Sequence, residues 1–164
     1  MKYLSKLLFV LILPNLLFTQ NLRLKDTTLL GKVVAITDGD TFKLLTQDST
    51  LYRIRVANID CPERKQPFST KAKQFTSDAI FSKAVNVEII NTDRYGRLIG
   101  VVYYNDSLVL NHEIIKNGFA WHYVKYSKDT ELQEIEDLAK VNKVGLWSDP
   151  HAIPPWEWRK TKHK

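Results

Sequence analysis

A single cysteine, Cys61, among 164 residues excludes any intrachain disulfide, so packing must stabilise whatever folds. The chain also lacks an apolar stretch of the roughly 20 residues that a membrane-spanning helix needs. The run Leu7 to Leu13 is broken by Pro14 and Asn15 before Leu16-Leu17-Phe18 resume, and Lys2 and Lys6 precede it. That arrangement predicts a secretory signal peptide over residues 1–20 and a secreted or periplasmic protein with no stable membrane span. No internal repeat is present. Two metal motifs are incomplete. His112-Glu113 begins a zinc-protease pattern, but its second histidine position is Lys116. Asp38 opens an EF-hand spacing, but Phe42 stands where an oxygen ligand is required.

What remains is the composition of one soluble domain, with 44% hydrophobic and 26% charged residues. Loss of residues 1–20 would remove two lysines and leave 22 basic against 18 acidic residues. A modest positive balance suits a polyanionic partner without requiring one. A monomer is the default expectation.

Along the chain, residues 21–28 read as a polar leader and 29–148 as the folded domain. Val33, Val34 and Ile36 precede Asp38-Gly39, and Thr41 to Leu45 follow it, which is a hairpin signal. Leu51 to Ile59 alternates, with Ile54 and Val56 on one face and Arg53 and Arg55 on the other. Ser69 reads as the N-cap of a helix reaching about Lys83. Val85 to Ile90 and Leu98 to Tyr104 read as strands. A second helix carries Leu110, Ile114 and Ile115 and stops at Gly118. A third starts near Thr130, burying Leu132, Ile135, Leu138 and Ala139 and turning Glu131, Glu134, Glu136 and Asp137 to solvent. Five short strands with a helix after the third predict a five-stranded OB-fold barrel with three α-helices, an α+β arrangement. Residues 149–164, rich in Pro and Trp and basic, read as an extended tail.

Three clusters bear chemistry. Asp38-Gly39-Asp40-Thr41 places Asp40 just past a turn, while Asp38 is accounted for by the turn alone. Arg55, Asp60, Pro62 and Glu63 put two carboxylates around a rigid turn at a strand end. Asp93-Arg94-Tyr95-Gly96-Arg97 is a short reversal with two guanidinium groups. Singly, each is compatible with ordinary turns and solvated charge. Together they offer hard oxygen donors for a calcium ion, arginines for a phosphodiester, and a spare carboxylate for a water.

These segments resemble the staphylococcal nuclease (thermonuclease) family from about residue 30 to Ser148, with Gly118-Phe119-Ala120 and Leu146-Trp147-Ser148 also matching. The resemblance implies an OB-fold and Ca2+-dependent hydrolysis of both DNA and RNA at the P–O5′ bond, leaving a 3′-phosphate. It implies Asp40 and Asp60 as calcium ligands beside the Cys61 carbonyl, Glu63 as general base, and Arg55 and Arg97 as a phosphate clamp. Arg94, Tyr95 and Tyr126 would contact the nucleotide. The sequence departs from the family's best-known member in a shorter loop after Glu63. It also carries Val124 where a second nucleotide-facing tyrosine would fall, with Tyr123 adjacent.

The competing expectation is a non-catalytic OB-fold module that binds nucleic acid or protein; it gives no reason to keep Asp40, Asp60 and Glu63 with two arginines. His122 and Trp121 read as structural. Trp156 and Trp158 read as packing back on the domain or touching substrate or envelope.

Overall fold

The computed structural model describes residues 26–161; the expected signal peptide and most of the polar leader lie outside them. Five main strands wrap into a barrel: β1 (Thr27–Asp38), β2 (Thr41–Thr46), β3 (Leu51–Val56), β5 (Ala84–Thr92) and β6 (Leu98–Tyr104). They lie in the order β3-β2-β1-β5-β6, and a parallel pairing of β3 with β6 closes the circuit. Closure leaves no free edge between those two strands. Three two-residue strands complete the set: β4 (Ile59–Asp60), β7 (Leu108–Val109) and β8 (Trp121–His122). Thr27 and Thr28, expected in a loose leader, instead pair with Ile89 and Glu88.

Alternation fills the barrel. Val33, Phe42, Leu44, Ile54, Val87, Ile89 and Val102 are fully buried. Each such side chain stabilises the fold by about 1.5–3 kcal/mol. Arg53 and Arg55 sit on the other face of β3, as the period of two requires.

Helices α1 (Ser69–Ile80), α2 (Leu110–Lys116) and α3 (Thr130–Val141) cover the barrel. Ser69 is not the cap of α1: Phe68 holds that place with φ 67°, no side chain caps the helix, and it ends at Ile80. On α3, Asp129 accepts hydrogen bonds from the Glu131 and Leu132 amides as N-cap. The expected polar face of α3 is also corrected. Leu138 is exposed, whereas Glu136 is buried, accepting from the His122 amide at 2.9 Å and Lys140 Nζ at 2.6 Å. A carboxylate with those two donors is better served inside than a leucine on the rim is harmed outside.

Gly118 and Gly145 explain why two glycine motifs stand 27 residues apart. Both have positive φ, and a Cβ on either would collide with the other segment's backbone. The Leu146 amide can therefore donate to the Gly118 carbonyl at 2.8 Å.

The extended-tail reading also fails. Residues Pro155–Thr161 form a fourth helix, α4, so the described residues hold four α-helices rather than three. Pro155 opens it, where a fixed φ and missing N–H cost nothing.

Candidate active site

The site sits where the β1–β2 hairpin, the end of β3 and β4 meet. A register shift between Ile36 and Asp38 lies beside the hairpin turn and re-aims it. The turn is clamped from beneath: Thr76 on α1 donates to the Gly39 carbonyl at 2.6 Å, and Gly39 has no room for a Cβ against Cys61 Sγ and Ala72. The Val56 amide donates to the Asp40 carbonyl at 2.8 Å. Asp60 is fixed independently, through β4 pairing with Trp121 of β8.

These anchors bring the sequence-predicted residues together. Arg55 Nη2 lies 3.2 Å from Asp40 Oδ2 and 2.9 Å from Asp60 Oδ1, while its Nη1 donates to the Val56 carbonyl. The Cys61 amide donates to Asp40 Oδ2 at 2.8 Å. The thiol itself is buried, and burial followed by the neighbouring Asp40 pushes it well above its ordinary range, so it is no nucleophile. Burial opposes the charge on Arg55, but Asp40 and Asp60 more than restore it. Burial raises the Asp60 carboxyl against the pull of Arg159 and Arg55.

Arg97 reaches the same centre less directly. Its Nε donates to Asp93 Oδ2 at 2.7 Å, and its Nη1 approaches Thr41 Oγ1 at 3.4 Å. Thr41 in turn donates to Asp40 Oδ1 at 3.1 Å. Burial alone would push Asp93 up, but the Arg97 and Tyr95 amides and the Arg97 guanidinium hold it below the usual carboxylate range. Arg94 and Tyr95 are exposed beside it, joined by a 2.6 Å hydrogen bond. Tyr126 stands apart: 70% exposed, it meets Tyr123 edge-on with centroids 4.8 Å apart.

Asp38 serves the turn as expected: its Oδ1 accepts from the Asp40 amide at 3.2 Å, and burial and then Asp40 push its carboxyl up to about 7. Two participants escaped sequence reasoning. Gln66 accepts from the Glu63 amide at 2.9 Å and so pins the backbone of the expected base. Arg159 of α4 is the least anticipated. Its Nη1 donates to Glu63 Oε1 at 2.6 Å and its Nη2 to Asp60 Oδ2 at 2.8 Å. The one available signal was Pro154-Pro155 ahead of Trp156-Glu157-Trp158-Arg159, a helix start rather than an extended tail.

The donor set fits a hard cation, since Asp40 and Asp60 offer close-set carboxylate oxygens whose mutual repulsion a cation would relieve. Among the described residues, no three His, Cys, Asp or Glu side chains converge as a complete cage. A bound cation would therefore take the rest of its shell from backbone carbonyls, water and substrate.

Comparison with known proteins agrees with this architecture. The family model described as staphylococcal nuclease homologue matches residues 53–149. A protein named micrococcal nuclease from Shigella flexneri is 41% identical over 140 residues, covering 79% of this chain and 80% of that one. Named only as uncharacterized endonucleases, proteins of Escherichia coli and Haemophilus influenzae are 38% and 39% identical, over 80% and 79% of this chain and 86% and 72% of theirs. With its closed barrel and a match across more than half its length, this chain belongs to the staphylococcal nuclease homologue family.

Proposed function

We propose that this nuclease is an exported, calcium-dependent phosphodiesterase that cuts both DNA and RNA and leaves 3′-phosphate ends. One observation carries the reading: Asp40, Arg55 and Asp60 meet in one hydrogen-bonded cluster at the barrel rim, and Arg159 bridges Asp60 to Glu63 beside it. Export rests on the Lys2 and Lys6 start and the apolar run after it.

In this reading Asp40 and Asp60, with the Cys61 carbonyl, hold the calcium ion. When bound, the ion supplies positive charge to a phosphate oxygen and to the attacking water. Glu63 takes the proton of that water as its oxygen forms a bond to phosphorus. The P–O5′ bond breaks, and the departing 5′ oxygen takes a proton from solvent water to become a hydroxyl, while Glu63 returns its proton to solvent. Arg55 and Arg97 donate hydrogen bonds to the non-bridging oxygens, where charge builds during attack. Tyr95 and Arg94, exposed on the loop that carries Arg97, contact the nucleotide. Tyr126 supplies a sequence-tolerant aromatic face farther along the strand.

Digestion of single-stranded DNA, duplex DNA and RNA by the purified protein, with calcium or with a chelator, tests the assignment. Cleavage of all three that needs calcium and yields 3′-phosphate ends is expected. Retention of nucleic acid without cutting would instead identify a binding module, and activity indifferent to the chelator would remove the calcium ion from the site.

A further inference from the structure

The catalytic acids do not face solvent freely. Both oxygens of Asp60 accept from arginines: Oδ1 from Arg55 at 2.9 Å and Oδ2 from Arg159 at 2.8 Å. Glu63 Oε1 is taken by the same Arg159 at 2.6 Å. Those are oxygens that the proposed reaction needs for the cation and for the attacking water. The Arg159 charge is reinforced there: burial disfavours it, yet the bonds to Asp60 and Glu63 hold its guanidinium above the ordinary arginine value.

Arg159 is delivered by a helix with few and separable attachments. Trp156 stacks face to face on Tyr123, with centroids 5.3 Å apart and rings inclined by 2°. Gln66, which pins Glu63, also donates to the Ile153 carbonyl at 2.6 Å. Beneath the helix lies a cavity of about 140 Å³ lined by Gln66, Trp121, Leu146, Ile153 and Trp158 among others. The seat is thus held by the buried Pro155, the inward indole of Trp158, one aromatic stack, one hydrogen bond and the ion pairs. Such a helix can shift by a side-chain length without opening the barrel core.

We propose that Arg159 is a third phosphate-binding arginine, stored on Asp60 and Glu63 until a cation arrives and then transferred to the phosphodiester. The proposal rests on the nuclease reading above. Arg55 and Arg159 already occupy both Asp60 oxygens, so a divalent cation entering there must take the oxygen of the more exposed of the two, and cation entry and the Arg159–Asp60 pair compete. The released guanidinium stays tethered at the site. A group bonded to the oxygen that activates water is within about one water diameter of that water, and hence near the phosphate it attacks. An arginine fork matches non-bridging phosphate oxygens and loses its carboxylate partners at the moment the substrate offers new ones. The exchange also keeps Glu63 Oε1 occupied by Arg159 until the cation arrives.

Calorimetric titration of calcium into the full chain, without nucleic acid, reads the competition apart from activity. Arg159→Ala should bind calcium about fivefold to tenfold more tightly than the parent, the scale of one partly screened ion pair. Trp156→Ala, which loosens the seat but keeps the arginine, should shift affinity the same way by a smaller factor. At saturating calcium, Arg159→Ala should raise KM for a short single-stranded oligonucleotide roughly tenfold, and Arg159→Lys should recover part of that loss. Calcium affinity unchanged or weakened in both alanine variants overturns the stored-arginine exchange. KM unchanged in Arg159→Ala overturns the phosphate role. If the parent protein itself shows no calcium-supported cleavage, the nuclease reading fails, while the calorimetry still decides the competition.

Discussion

Two arginines grip the same aspartate in different ways. Arg55 rises from the barrel wall near the end of β3, 13% exposed, with its neighbours on β2 and β6 locked in register. Arg159 comes from a seven-residue helix at the far end of the chain and remains 40% exposed. The first cannot leave without stranding two buried carboxylates. The second can leave, because water and a cation can replace it. A closed barrel is a frame for charges that must stay in place, and a short, lightly attached helix is a carrier for one that moves.

The strongest way to break this contrast is Arg55→Ala. Leaving buried Asp40 without its counter-ion beside Asp60, which keeps only Arg159, should cost about 3–5 kcal/mol of stability, read in urea titrations, along with nearly all cleavage. Glu63→Gln removes the proton acceptor while keeping the shape. It should cut kcat by about 10²–10⁴, with the melting temperature almost unmoved. Arg97→Ala should lower kcat by roughly 10²–10³, because its loop, unlike β3, lends little to the core. Trp156→Ala should lower stability by no more than about 1 kcal/mol, since the partly buried Trp156 ring stacks on Tyr123 outside the barrel core. A loss as large as that of Arg55→Ala would mean that α4 is structural rather than mobile.

The smallest effect belongs to Asp93. Its folded-state carboxyl is held below the ordinary value of 3.8. Its support of the Arg97 loop is therefore present above about pH 4 and is lost as pH falls below that, through the folded value. Asp93→Asn should remove this contribution, so the amide-exchange protection of the Arg97 backbone N–H should no longer change with acidification.

How much of this was legible beforehand depended on whether the signal was local. The hairpin at Asp38-Gly39, the alternation of β3 and the stop at Gly118 each depend on a few adjacent residues, and each stands where expected. The order and spacing of the Asp40, Arg55–Glu63 and Asp93–Arg97 clusters were enough to indicate one site and its family. Glu136 was misread because a helix period marks which side faces inward but not whether a buried amide waits there; the His122 amide comes from another element.

The sequence by itself determined the barrel, through alternation and turn chemistry, and the identities of the acids and arginines that gather at its rim. Only the tertiary structure decided what those charges do before substrate arrives. The pairing of Arg159 with Asp60 and Glu63 spans 99 and 96 residues of chain. No local propensity encodes a contact of that range. It follows from where a closed barrel places its last helix, and from buried carboxylates accepting whichever cation the fold brings within reach.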